Sequence, residues 1–520
     1  FFSKLFIDFI DGKLQDFFPS NYLDDHFKLF DKRLEETNPL RHKAVESIIN
    51  SMKSIEPSNL QYDNIELSRS DKTLFVVTGQ QPGALGGPLY SLYKAFTAIS
   101  LTNELNEKYK DFNFIPLFWV EDNDSDLHEA ASAVIFDKDY NLSKFNLNFS
   151  DKLKIEYQRI DEDSSVFLNK LIESGLLSDD YKQLLFKVNK PGLSWSDSFI
   201  NAVNILTSDS GLLFIKSSEL NKSQIFGEII LKEINNPYHS QRIINQTSDK
   251  LLGLSYHKQA EPSDINLFFE ENGVRLKIQQ HSDYMQIGDK IIPNSEINLF
   301  VNDNIKSFLP KVLLRPIFQD YALPTSHYIG GPGEIAYLAQ IQDLYAEFNL
   351  TSPRILNRHS FTLIDKSTHR GLEKNNLSPT YFLKNRNDIE NELNQKFINT
   401  KYEYMFEECR QKITSIYDDL SNYLPEIDNQ IINNIDIALN KSLEQLENLR
   451  KKSISLLKRK NEDTFNKYRK MSGFILPHGK PQERVLNLIN ILMYNNPQNL
   501  IEKLLHYTQL PPDKHYFIEI

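Results

Sequence analysis

Residues 72 to 124 constrain the fold more than any other part of the chain. "KTLFVVTG" is an apolar, β-branched and aromatic run, the pattern of a buried strand. "QQPGALGGP" then crowds glycines and prolines into one turn. A helical pattern follows from Pro88 to about Lys108, and "FNFIPLFWVEDND" reads as a second buried strand ending in acids. Strand, Gly-rich turn, helix, strand is a βαβ unit. A crossover helix returns the chain to the same edge of the sheet, so the two strands run parallel. The expectation is an α/β fold built on a parallel sheet.

The flanking segments extend this plan. Residues 1 to about 60 have a broken helical pattern. "GLLFIKS", 211 to 217, predicts another strand, and 222 to 253 look helical. "INLFFEENGVRLKIQ" predicts a hairpin, because Asn-Gly suits a tight primed turn. Sheet patterning resumes in "KVLLRPIFQDYALP" and "SPRILNRHSFTLI". "FILPHGKPQERVLNLINILMYN" predicts a short strand, a polar loop and a final helix.

A different period governs 383 to 468. Phe406, Cys409, Ile413, Ile416, Leu420 and Tyr423 recur at heptad-like intervals. Pro425 interrupts, and Ile427, Ile431, Ile435, Leu439, Leu443 and Leu446 resume the stripe. Two arms of roughly 40 residues would each reach ~60 Å. The expectation is a long antiparallel coiled-coil hairpin that dimerises, with Cys409 in its packing stripe; a helical hairpin packed on its own body is the competing reading. The predicted order is a core from 1 to 225, an insertion from 226 to 305, and more core from 306 to 382. A helical hairpin follows from 383 to 468, then a return to the core from 469 to 520.

Composition excludes several classes of function. The chain has 520 residues and a formal net charge of −11, from 59 basic and 70 acidic side chains. That balance argues against non-specific nucleic-acid binding, which draws on a basic surface. One cysteine among 520 residues leaves no internal disulfide framework, and the histidines show no zinc spacing such as HExxH. No metal is expected. No apolar run approaches the ~20 residues that span a bilayer. "FFSKLFIDFIDGKL" carries Asp8 and Asp11 and lacks the basic start of a signal peptide. A cytoplasmic protein with small-molecule substrates is expected, with neither nucleic acid nor membrane as partner.

Three segments carry candidate chemistry. In "TGQQPGALGGPLYSLYK", glycine permits close backbone approach, and a following helix N-terminus favours an anion. An anionic ligand could sit above Gly86, Gly87 and Pro88, with Tyr90 and Lys94 one turn apart on the helix. The loop matches neither GxxxxGK[ST] nor GxGxxG, and a structural turn is the competing reading. "FWVEDNDSDLHEA" gathers Glu121, Asp122, Asp124, Asp126 and Glu129 where a parallel strand ends, the place where open α/β sheets bind ligands. "RPIFQDYALPTSHYIGGPGEIAYLAQ" repeats the glycine-to-helix device with Gly330, Gly331 and Glu334, preceded by Arg315, Gln319, Asp320 and Tyr321. Two such starts suggest two walls of one cleft.

Taken together, "TGQQPGALGGPLYSLYKAFTAI", "PLFWVEDNDSD", "SYHKQAEPSDINLFF", "LLRPIFQDYALPTSHYIGGPGEIAYLAQ", "RILNRHSFTLID" and "LPHGKPQERVLN" resemble, in order, the bacillithiol biosynthesis cysteine-adding enzyme family. The resemblance runs from about residue 70 to the end. It implies a Rossmann-like core related to class I synthetases, with connecting-peptide insertions and a coiled coil that makes a homodimer. It implies a ligase that joins the carboxylate of L-cysteine to the glucosamine amine of glucosaminyl malate, giving bacillithiol. The family often has E-D-H-D where this chain has Asn123, Asp124, Ser125 and Asp126, and asparagine where this chain has His478.

Activating a free carboxylate calls for a leaving group, so a nucleotide or a pre-activated cysteine donor is expected; an adenine nucleotide, ATP or ADP, is the candidate cofactor, and an acyl-adenylate is the expected route by analogy. The candidate substrate-binding set is Gly79, Gln80, Gln81, Gly86, Gly87, Pro88, Tyr90, Trp119, Gln319, Asp320, Tyr328, Gly330, Gly331, Glu334 and Arg358. Lys94 or Arg358 is expected to neutralise a carboxylate. Asp124 or Asp126 is expected to hold or deprotonate the amine, and Gln482 and Arg484 to contact the nucleotide.

Overall fold

The structure is a computed structural model that describes residues 2–136, 141–164, 166, 168–169, 179–397, 400–424, 431–493 and 497–520. The chain forms two compact units. One comprises Phe1–Thr362 with Glu483–Tyr516, the other Leu363–Gln482 with Phe517–Ile520. These divisions fall at 362 and 482, whereas the sequence suggested 382 and 468.

The first unit is organised by the expected parallel sheet. Its strands are β1 (Thr73–Gln80), β2 (Asn113–Val120), β3 (Leu213–Lys216), β4 (Thr325–Gly330) and β5 (Arg354–Asn357), in the order β5-β4-β1-β2-β3. Every pairing is parallel. Almost every residue of β1, β2 and β4 is buried, which is why these strands read as unbroken apolar runs. The crossover helix α1 (Leu89–Lys108) joins β1 to β2. Its Ala98 and Leu105 pack with Leu74, Val76 and Phe114 of the strands and with Phe30 of the N-terminal helix His26–Thr37.

The hairpin forms as its turn chemistry demands. Asn272 and Gly273 both take positive φ, 51° and 83°, between Leu267–Glu271 and Val274–Gln280. The hairpin lies within a five-stranded antiparallel sheet that takes in Phe308–Pro310, three residues past the expected end of the insertion at 305. "RPIFQDYA", expected as sheet, is instead helix α2 (Arg315–Ala322), with proline in its first turn. Proline there lacks only an N–H that the helix would leave unbonded, and its ring fixes a helical φ.

In the second unit, helices α3 (Thr400–Tyr423) and α4 (Ile431–Lys460) pair in opposite directions. Tyr417 hydroxyl meets Ser442 Oγ at 2.9 Å, and Arg450 reaches Glu403 at 3.0 Å. At 1.5 Å per residue, their 24 and 30 residues span about 36 and 45 Å, shorter than the sequence suggested. Pro425 and Ile427 lie outside the described residues. Cys409 is exposed rather than packed. The seam is built from Phe406, Ile413 and Tyr417 on one helix and Ile435, Leu439, Leu443 and Leu446 on the other. "FI" of the expected short strand belongs to the helix Glu462–Ile475, and the chain's last strand is His515–Glu519. No helix among the described residues is long and apolar enough to cross a membrane.

Candidate functional site

The C-terminal ends of β1, β2 and β4 bring Gln80, Trp119 and Gly330 to one edge of the sheet. Gly79 faces Trp119 across the ladder, and a Cβ there would stand 2.9 Å from the Trp119 carbonyl oxygen. Only glycine allows the two strands this approach at the mouth of the site.

Lys94 rises from α1 into this edge. It is 2% exposed, and its ammonium donates to the Gly79 carbonyl at 2.7 Å and to Gln80 Oε1 at 3.2 Å. Its third partner is the Glu334 carboxylate. Glu334 in turn accepts from the Tyr328 hydroxyl at 2.6 Å and from the Gly331 N–H at 2.8 Å, closing the start of helix α5 (Pro332–Gln340). Burial pushes the Glu334 carboxyl up, but Lys94 and these donors outweigh it and hold it below the usual range. Burial pulls Lys94 down. The arrangement is a buried ion pair with every proton of the ammonium engaged.

The other nominated cation is also paired. Arg358 donates to Glu483 at 2.6 Å and lies with its guanidinium carbon 5.5 Å from the Tyr90 ring centre. Glu483 is fully buried and also accepts from Ser360 Oγ at 3.0 Å. Sequence reasoning passed over Glu483; it is the glutamate of "PQER", a motif that marks its segment but not its partner. Gln80 Nε2 donates to the Tyr90 hydroxyl at 3.2 Å, and burial, aided by the Glu129 charge, pushes that phenol up.

Arg315, in the first turn of α2, is buried against the same edge. Its guanidinium carbon lies 5.9 Å from the Trp119 ring centre and 5.7 Å from that of Tyr328. Gln319 accepts from Arg315 at 3.0 Å, and its amide donates to Asp320. Asp320 also accepts from the Tyr345 hydroxyl at 2.6 Å, and burial pushes its carboxyl up, so it works as an internal anchor for α2.

The glycine-rich turn serves packing. Gly86 has φ 83° and is buried against Leu488, whose Cδ2 stands 2.0 Å from where a Cβ would be. Gly87 donates to Ala84 and accepts from Leu488 N, and the Leu89 N–H at the helix start donates to Leu486 O at 2.8 Å. The anion seat expected above Gly86, Gly87 and Pro88 is therefore filled by residues 486–488. Gln482 is likewise occupied. Its amide bonds Leu363 N, Leu363 O and Phe474 O, and none of it is exposed. Arg484 is exposed, and its charge reaches Tyr90.

The acids after β2 separate into different environments. Glu121 accepts from Trp119 Nε1 at 2.9 Å and Ser217 Oγ at 2.8 Å; burial pushes it up, with the Arg315 charge opposing. Asp122 is enclosed by Ser196, Ser217 and Ser218, which makes it a structural anchor. Asp124 is partly exposed and pairs with Arg275 at 3.2 Å, while Asp126 is exposed and its carbonyl accepts from Gln81. Asn123 is buried and accepts from Lys154 at 2.9 Å, a neutral acceptor for a lysine that Glu156 neutralises at 2.7 Å. His478 is exposed with φ 52°, a left-handed position that suits histidine and asparagine alike. A cavity of about 410 Å³ opens near Asn123, lined in part by Lys154, Glu156, Lys222, Glu270 and Lys290. Its charges are largely paired with one another. Among the described residues no group of histidine, cysteine and carboxylate side chains is placed to hold a metal.

Residues 3–359 match the model for the N-terminal Rossmann-like domain of bacillithiol biosynthesis BshC, and residues 361–520 match that for its C-terminal coiled-coil domain. A protein of Chloroherpeton thalassium named "Putative cysteine ligase BshC" is 30% identical across 100% of this chain and 97% of its own length. Proteins of the same name from Chlorobaculum tepidum and Chlorobium phaeobacteroides are 28% and 29% identical over 100% and 94% of this chain, and 97% and 92% of their own lengths. With both halves matched end to end and a parallel sheet whose strand ends gather the buried ion pairs, this chain belongs to the BshC family of bacillithiol biosynthesis, a family of ligases.

Proposed function

We propose that the chain joins L-cysteine to the glucosamine amine of glucosaminyl malate, giving bacillithiol in the last step of its synthesis. The observation that carries this reading is the buried Lys94–Glu334 pair at the ends of β1 and β4, in a chain matched along its whole length by the family. In the reaction a C–N bond forms, one carboxylate oxygen leaves with an activating group, and the amine gives up a proton. In this reading Asp124 or Asp126 holds that amine; Asp126 is exposed, and Asp124 is partly exposed beside Arg275. Trp119, Tyr90 and Tyr328 wall the cleft, and Gly330 and Gly331 bring its backbone close. The Lys94–Glu334 pair gives the edge a fixed, dry electrostatic frame, which is worth more than the same charges in water.

An adenine nucleotide supplies the activation in this proposal. Arg484, exposed beside Tyr90, fits a phosphate; Gln482 does not, because its amide is spent. The proposal includes a cytoplasmic homodimer through the helical hairpin, supported by Ile416, Leu420 and Tyr423, which flank the packed strip of their helix and stay 58%, 38% and 71% exposed.

The test is a mass-spectrometric assay of purified protein with glucosaminyl malate and L-cysteine, with and without ATP and magnesium. Bacillithiol formed only with ATP supports the ligase reading with its nucleotide. No product in either tube, from protein shown to be folded, removes the proposed substrates.

A further inference from the structure

Buried cations in the first unit come with carboxylates. Lys94 has Glu334, Arg358 has Glu483, Lys154 has Glu156 and Arg33 has Glu36. Arg41 has none, but its guanidinium is taken up by the carbonyls of Ser68 and Thr73 and by Asn38 Oδ1. Arg315 differs from all of these. It is 9% exposed, and its partners are Gln319 Oε1 at 3.0 Å and the Tyr337 and Tyr328 hydroxyls at 3.3 and 3.4 Å. Two of these bonds are long, and the Tyr328 hydroxyl spends its own proton on Glu334. Glu121 is near enough to feel the charge, but Trp119 Nε1 and Ser217 Oγ occupy its oxygens and it makes no ion pair with Arg315.

A guanidinium taken from water without an anion is costly, and a carboxylate supplied by a ligand can offset that cost through two parallel N–H···O bonds. Its place suits this role. Arg315 lies against Trp119 and Tyr328 at the same strand ends as the Lys94–Glu334 pair, and the Lys94 and Arg358 charges are already matched. We infer that Arg315 is a substrate-binding residue that receives a carboxylate of the substrate. The choice between the cysteine and the malate carboxylates rests on the function proposed above; the carboxylate specificity does not.

The test is calorimetric titration of the full chain with L-cysteine, glucosaminyl malate, the methyl esters of both and free L-malate, for the wild type, Arg315→Lys and Arg315→Gln. A charge-assisted bond of this kind corresponds to about 10- to 100-fold in affinity. The expected result is a loss of that size in Arg315→Gln for an acid ligand, a smaller loss in Arg315→Lys, and equal binding of that acid's ester by all three proteins. The acid that shows the loss identifies which carboxylate is held. Loss for free L-malate alone, with neither proposed substrate bound, would sink the proposed function and leave the role of Arg315 standing. A folded Arg315→Gln protein that binds every acid as well as the wild type overturns the inference, as does a wild type that binds none of them. If Arg315→Gln does not fold, the wild type decides: both esters bound as tightly as their acids also overturn it.

Discussion

Lys94 and Lys412 each sit beside a glutamate, and the two pairs mean different things. Lys94 is 2% exposed against Glu334 at 20%, and every donor it has is committed. Lys412 meets Glu408 at 2.6 Å, one helical turn away, but the two side chains are 70% and 44% exposed. In the core, solvation has been removed and must be replaced by partners of fixed geometry. On the hairpin, water still solvates both charges and salt screens them. A count of ion pairs would score them alike; burial separates them.

The comparison breaks most sharply at Lys94. Lys94→Met leaves Glu334 buried without its counter-ion, and the expected loss is about 3–5 kcal/mol in urea unfolding of the full chain. The double variant Lys94→Met with Glu334→Gln should recover part of that loss. A loss below about 1 kcal/mol in the single variant would mean that the pair is no more than a surface pair in a deeper place.

The next effect concerns His327, on β4. It is buried, and loss of solvation, with the Arg354 and His26 charges, lowers its pKa to about 3. The unfolded state therefore takes up a proton below about pH 6.5 that the folded state refuses. Stability from this group is full above that pH and falls by about 1.4 kcal/mol per unit as the pH drops toward 3. Chemical unfolding between pH 7 and pH 4.5 should show this slope, and His327→Gln should flatten it. An unchanged slope in the variant would show that other groups dominate.

Smaller effects are expected on the hairpin. For the proposed homodimer, Ile416→Asp combined with Leu420→Asp should leave the melting of the monomer almost unchanged while lowering the dimer fraction seen by light scattering; a wild type that is monomeric there removes the proposed dimer. A full dimer in that variant would place the interface on another face. Lys412→Ala should change neither melting nor dimer fraction, because an exposed pair loses little when one partner goes.

The strands of the parallel sheet were legible because a strand buried on both faces must be apolar at almost every position. β1 falls within a residue of its expected run, and β2 starts within a residue of its own but ends at Val120, before the acids. The Asn272–Gly273 hairpin was legible because its turn admits few residues. Arg315 to Ala322 was misread as sheet, because an apolar run of this length carries little periodicity of its own and the tertiary contacts decided for a helix. In α3 the heptad stripe overcounted the seam: Ile416, Leu420 and Tyr423 share its spacing yet stay exposed, and spacing alone does not say which strip of a helix meets its partner.

At the site, residue type and position pointed to Lys94, Glu334, Arg358, Tyr90 and Trp119 as neighbours. What each one does there was not legible. Glu483 follows Arg358 by 125 residues, and no local pattern announces that pair. The glycines at 86 and 87 looked like an anion seat, and Leu488, 402 and 401 positions later, fills the space.

The order of amino acids by itself determined the parallel α/β core, the hairpin turn, the presence of two long paired helices and the family to which the chain belongs. These follow from local periodicity, turn chemistry and motif order, which act over a few residues at a time. Only the tertiary structure decided which charges were neutralised and which was left unmatched. Charge pairing depends on distance and on the removal of water, and both are set where remote segments meet. That is why Lys94 and Arg358 stand paired and Arg315 keeps the guanidinium without a carboxylate.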